Sequence, residues 1–166
     1  MNIVLCGMMG SGKTTVANSL SKIYNVVCVD TDEEITKSYG QITDIFARVG
    51  EEGFRDIESE IVERVVECYD KAVISLGGGC VLREKNVKIL KTTGKIFYLR
   101  TSPEVVISRL SGDTSRPLLR GDLEERVRSL TQARSAIYER VADYIVDTDD
   151  KSPEQIAKFI MEQTKV

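Results

Sequence analysis

The sequence predicts a three-layer α/β fold, in which one five-stranded parallel sheet is covered by helices on both faces. Three observations predict it. Five short runs are apolar and β-branched along their whole length, as strands buried on both faces are. Stretches with apolar residues three and four apart lie between those runs, so strand alternates with helix. The first run leads directly into a glycine-rich loop, the usual start of a helix that binds phosphate after a parallel strand.

Taken in order, "NIVLC" at 2–6 is the first strand, and "GMMGSGKTT" follows it. Gly7 and then Gly12-Lys13-Thr14 satisfy G-x-x-x-x-G-K-[ST]. Each position has a physical purpose there. Glycines let backbone N–H groups converge on a β-phosphate, and a helix beginning near Lys13 adds its N-terminal dipole. The Lys13 ammonium can reach the β- and γ-oxygens, and the Thr14 hydroxyl can ligate Mg²⁺. Gly10, Ser11, Gly12, Lys13, Thr14 and Thr15 are therefore the expected contacts to the phosphates of a nucleoside triphosphate.

The second strand, "VVCV" at 26–29, runs on into Asp30, Thr31 and Asp32. Alternation along a strand would point both aspartates toward the carboxyl edge, where α/β sheets bind ligands. Asp30 is assigned to the metal, through water, and Asp32 to the acceptor. The competing reading is that these acids only cap the helix "DEEITKSYG". A further helix covers 54–68, with Phe54, Ile57, Ile61, Val65 and Cys68 on one face. Arg55 near its start is disfavoured by the helix dipole, which points to a ligand. The third strand, "AVISL" at 72–76, ends in Gly77, Gly78 and Gly79 with no acid among them. Three glycines suggest that a ligand lies against bare backbone, and the metal carboxylate must come from Asp30 instead.

Gly94 after "KILKTT" suits a helix C-cap, and "KIFYL" at 95–99 is the fourth strand. Ser102-Pro103 and Ser152-Pro153 each read as an N-cap followed by proline at the first helical position. The stretch 111–122, "SGDTSRPLLRGD", has few apolar anchors and reads as a loop or a mobile lid. Arg134 in "LTQARSAIYERVA" is a second candidate for a carboxylate fork, and "YIV" at 144–146 is the last strand.

Bulk properties limit the partners. The 166 residues, 42% hydrophobic and 30% charged, suit one soluble domain spanning 1–166. A net charge of −3 argues against a nucleic-acid partner, and no run approaches membrane-spanning length. The N-terminus lacks the pattern of a signal peptide, so the expectation is a cytoplasmic monomer. Four cysteines without CxxC spacing suit buried thiols in a reducing compartment. The chain has no histidine, so acid–base chemistry falls to Asp, Glu, Lys or water.

Together, "GMMGSGKTT", "DTD" at 30–32, "FRDIE" at 54–58, "LGGG" at 76–79, "RPLL" at 116–119 and "ARSAIYERVA" at 133–142 resemble the shikimate kinases almost from end to end. The resemblance implies a P-loop kinase fold with a mobile lid, and transfer of the ATP γ-phosphoryl group to the 3-hydroxyl of shikimate with Mg²⁺. It implies that Asp32, Arg55, Arg134 and the backbone at Gly78 hold shikimate, the arginines on its carboxylate and Asp32 on its ring hydroxyls. Arg116 would lie on the lid over ATP, Arg109 would flank the adenine, and Lys151 falls at a variable adenine-side position. Lys13, Asp32 and Arg116 would be the catalytic set. Thr14 stands where many relatives carry Ser, and "TDDKSP" at 148–153 is acidic for an adenine strap. Two other readings are a kinase for another small hydroxy acid such as gluconate, and a nucleotide-gated regulatory module. Against a GTPase switch, no N/T-K-x-D signature is present.

Overall fold

The five strands settle into one sheet whose order places two loops side by side. In a computed structural model of the chain, residues 1–112 and 120–164 are described. Strands β1 (Asn2–Cys6), β2 (Val27–Asp30), β3 (Ala72–Ser75), β4 (Gly94–Arg100) and β5 (Tyr144–Asp147) lie in the order β2-β3-β1-β4-β5. All four neighbouring pairs are parallel. Central β1 is flanked by β3 and β4, so the loops after β1 and β3 meet at the carboxyl edge, the usual ligand crevice of such sheets.

Helices α1 (Lys13–Tyr24) and α7 (Pro153–Gln163) cover one face; α3 (Ile42–Cys68), α4 (Glu84–Thr93) and α6 (Arg120–Val141) pack on the other. The remaining helices are α2 (Thr31–Tyr39) and α5 (Pro103–Ser111). Alternation along each strand feeds both layers. Ile3 and Leu5 pack with Val16, Leu20, Ile156 and Ile160, while Val4 and Cys6 pack with Ile61, Val65, Leu90 and Tyr138. Each fully buried Leu, Ile or Val side chain contributes about 1.5–3 kcal/mol. Among the described residues, no helix is long and apolar enough to cross a membrane.

The two serine caps form as expected. Ser102 Oγ accepts from the Val105 N–H, and Ser152 completes a capping box with Gln155. Two expectations need correction. The second strand stops at Asp30 and helix α2 begins at Thr31, so strand alternation does not orient Asp32. The 54–68 helix begins only a few residues earlier, just after Gly50, whose left-handed φ of 71° is readily adopted by glycine and separates it from a preceding helical segment that starts at Ile42. Arg55 therefore sits about one turn past that break. Gly94 caps the C-terminus of α4 as expected, its N–H donating to the Leu90 carbonyl, in extended rather than left-handed form. A Cβ there would lie 2.7 Å from the Asn2 carbonyl oxygen, so its role is close approach of β4 to β1. Arg116, Pro117 and most of the 111–122 stretch expected to be a lid lie outside the described residues.

Candidate active site

The loop after β1 is shaped for an anion before any anion is considered. Gly7, Gly10 and Gly12 all have positive φ, and the Ser11 N–H closes a turn on the Met8 carbonyl at 3.1 Å. Ser11 is buried, and its hydroxyl has no hydrogen-bond partner among the described residues. An orphaned buried hydroxyl in a glycine cradle at a helix N-terminus suits a phosphate oxygen. Lys13 Nζ folds back to donate to the Gly7 and Met8 carbonyls at 2.9 and 2.8 Å. Burial lowers its pKa to about 8, against the opposing pull of Cys6, Asp32 and Asp30. Bound phosphates would restore the charge.

Asp30 closes the floor of the same crevice, and its two oxygens serve different partners. Oδ1 accepts from the N–H groups of Asp32 and Glu33, capping α2, while Oδ2 lies 3.1 Å from the Thr14 hydroxyl. Both readings of this acid, helix cap and metal-side carboxylate, are thus geometrically open at once. Asp32 is one residue into α2, and it too faces the crevice. Burial first, and then the charge of Asp30, raises its pKa above the ordinary carboxylate range, opposed by Lys13 and Arg55. A carboxylate raised in this way is better matched to accepting a proton near neutral pH.

A cavity of about 580 Å³ joins these groups. Residues Gly10 to Val16, Asp30, Asp32, Gly78, Arg109 and Lys151 are among those that line it. At its far end Arg109 donates to the Gly10 carbonyl at 3.0 Å, and Lys151 donates to the Asp147 carbonyl at 2.7 Å. Thr14 and Thr15 are exposed on its wall. Arg55, Gly77, Gly79 and Arg134 do not line this cavity but adjoin it through Gly78 and Asp32.

That second cluster is built largely from buried charge. Arg55 donates to Glu58 at 2.8 Å, and both side chains are almost fully enclosed. Burial pushes the Glu58 carboxyl up, against the hydrogen bond from Arg55. The glycines make room for these groups. A Cβ at Gly77 would lie 2.7 Å from Asp32 Oδ1, and one at Gly79 would collide with the Arg55 guanidinium. Gly78 differs: its added Cβ would sit 3.6 Å from an Arg134 guanidinium nitrogen and 3.6 Å from the Gly7 carbonyl oxygen, in ordinary contact. The Gly77 N–H donates to Thr31 Oγ1 at 3.0 Å, tying the glycines to the start of α2.

Sequence reading did not single out Glu58 or Tyr138. Glu58 follows Arg55 by three residues on a helix, a spacing that brings the side chains together, and this was a usable signal. Tyr138 follows Arg134 by four, and its hydroxyl donates to the Gly78 carbonyl at 2.6 Å. For a hard divalent cation, Thr14 Oγ1 and Asp30 Oδ2 form a partial donor set of adjacent oxygens, which phosphates and water would complete. The arrangement can grip a triphosphate at one end, hold an anionic hydroxylated molecule at the other, and place a raised carboxylate between them.

Known proteins resemble the chain in sequence and fold. A sequence model of the family "Shikimate kinase" matches residues 9–165. The chain is 44% identical to the shikimate kinase of Thermodesulfovibrio yellowstonii over 98% of its own length and 94% of the relative's. It is 42% identical to that of Moorella thermoacetica over 99% and 94%. Among solved structures, the shikimate kinase of Acinetobacter baumannii in complex with shikimate superposes with a TM-score of 0.87 at 33% identity, over 98% of this chain and 92% of that one. The Aquifex aeolicus enzyme gives 0.84 at 36% identity, over 99% and 96%. With one family model spanning nearly the whole chain, and relatives alike in sequence and fold from end to end, the chain belongs to the shikimate kinase family.

Proposed function

We propose that the protein transfers the γ-phosphoryl group of ATP to the 3-hydroxyl of shikimate, giving shikimate 3-phosphate and ADP. The observation that carries this reading is adjacency: a Cβ at Gly78 would lie 3.6 Å from the Gly7 carbonyl of the nucleotide loop, with Lys13 and Asp32 lining the crevice beside them. The family supplies the acceptor.

In this reading catalysis is mostly positioning and charge neutralisation. The loop amides and Lys13 hold the β- and γ-phosphates, and Arg109 and Lys151 border the nucleoside. Arg55 and Arg134 take the acceptor carboxylate as guanidinium forks. Asp32 orients the attacking hydroxyl and accepts its proton late, since a loose transition state needs little base. Thr14 and Asp30 would hold Mg²⁺, which when bound neutralises phosphate charge. The family pattern adds Arg116 as the cation that meets the transferring group.

The test is ADP release measured with and without shikimate, with gluconate as the control acceptor. Shikimate-dependent release that gluconate does not support is expected. Release indifferent to shikimate, or equal with gluconate, overturns the acceptor assignment.

A further inference from the structure

Helix α6 carries Arg134 and, one turn later, Tyr138, and both reach the same residue of the glycine loop. The Arg134 guanidinium lies beside Gly78, while the Tyr138 hydroxyl donates to the Gly78 carbonyl at 2.6 Å. Met8 of the nucleotide loop also lies within reach of that hydroxyl, its sulfur 3.9 Å away. The Tyr138 ring is fully buried and stacks on Tyr98 with centroids 5.0 Å apart, so the hydroxyl has little freedom to turn elsewhere.

The peptide that follows Gly78 is planar, with its carbonyl and the Gly79 N–H pointing in opposite directions. Fixing the carbonyl therefore fixes the N–H. Glycine backbone has a wide choice of conformations, and three in succession have no side chain of their own to limit it. The Gly77 N–H is held by Thr31 and the Cys80 N–H by the Gly77 carbonyl, but the N–H groups of Gly78 and Gly79 have no hydrogen-bond partner among the described residues. Among the described residues, Tyr138 is the one side chain that donates to the Gly78 carbonyl.

We propose that Tyr138 is a positioning residue for the acceptor, orienting the Gly78–Gly79 peptide so that its free N–H serves the acceptor site while Arg134, on the same helix, reaches the acceptor directly. The inference rests on the reading that the acceptor lies against Gly78. Tyr138 touches neither substrate; it acts through the loop. Burial holds its pKa up at about 12, so the hydroxyl remains a donor across the working pH range.

Steady-state kinetics of Tyr138→Phe separate this role from plain packing, because the ring and its stack are retained and only the donor is lost. The shikimate KM is expected to rise about tenfold, the consequence of losing one buried hydrogen bond at the loop, with the ATP KM changed less than twofold. Tyr98→Phe is the control, since it alters the same aromatic stack without touching Gly78, and it should leave the shikimate KM unchanged. A Tyr138→Phe enzyme with a normal shikimate KM, or one whose two KM values rise together, overturns the proposal, as does an equal effect from Tyr98→Phe. Arg134→Ala tests the underlying reading separately: if it leaves the shikimate KM unchanged, the acceptor does not lie at Gly78. If it raises that KM while Tyr138→Phe does not, only the role of Tyr138 fails.

Discussion

The molecule has two glycine-rich loops at one sheet edge, and they use glycine for different reasons. In the nucleotide loop, Gly7, Gly10 and Gly12 all have positive φ, a backbone that side chains resist, so the glycines are required by conformation. None of Gly77, Gly78 and Gly79 does. There the requirement is space, and at two of the three positions the chain's own side chains fill it: Asp32 and Glu58 at Gly77, Arg55 at Gly79. The first loop is backbone bent into a cradle that suits a phosphate, whereas the second is left bare so that charged side chains can stand beside it. Glycines alone, then, do not identify what a loop binds.

The largest expected effect comes from separating Gly79 from Gly78. Gly79→Ala must displace the Arg55 guanidinium, and should raise the shikimate KM about a hundredfold with little change in the ATP KM, the cost of losing a charged hydrogen-bonded contact. Gly78→Ala meets only ordinary contacts within the chain and should cost severalfold at most. If steady-state kinetics put Gly78→Ala as the worse variant, the acceptor rather than Arg55 imposes the bare backbone, and the contrast between the loops narrows.

A smaller effect is expected at the nucleotide loop. Asp30→Asn should raise the half-saturating Mg²⁺ concentration about tenfold, since a neutral amide is a poorer ligand for a hard cation. Asparagine caps helices as well as aspartate does, so the melting temperature should hardly move. Magnesium titration of initial rates, with shikimate saturating, checks this. A shift in the shikimate KM in place of the magnesium requirement would assign Asp30 to the other loop.

The smallest effect concerns pH. With its pKa lowered to about 8 from 10.5, Lys13 loses charge in the free enzyme as pH rises through 8. Nucleotide affinity should fall severalfold between pH 7 and 9, and calorimetry in buffers of differing ionisation enthalpy should record proton uptake on binding at the upper end. Stability moves the other way. Between about 8 and 10.5 the unfolded chain binds more protons at this group than the folded chain, so the Lys13 contribution to stability rises with pH across that window. Weaker binding there is therefore not unfolding. Flat affinity to pH 9 would mean that Lys13 keeps its charge in the open loop.

Much of the fold was legible because it rests on local signals. Strands apolar on both faces, the serine-proline caps and the glycine-lysine-threonine turn each carry their structure within a few residues. What failed depends on where the chain turns. Asp32 lies in a helix because Asp30 caps it, so the argument from alternation gave the right crevice for the wrong reason. The start of α3 was missed because Gly50 interrupts the apolar spacing of Ile42, Ile45, Phe46 and Val49. Glu58 and Tyr138 were within helical reach of the arginines already chosen, but contact with a loop 19 or 60 residues away is a tertiary fact.

Under the proposed metal role, Asp30 would meet two demands at one position. One of its oxygens caps a helix and the other stands beside the threonine of the nucleotide loop. Serine or asparagine would satisfy the helix and serve a cation poorly; glutamate would serve a cation and cap poorly. Each task alone admits several residues, and their intersection leaves little beyond aspartate. An alanine at this site would merge two independent losses into one measurement. A narrow choice of residue at position 30 would then follow from an overlap of two modest demands, with neither of them needing to be strict.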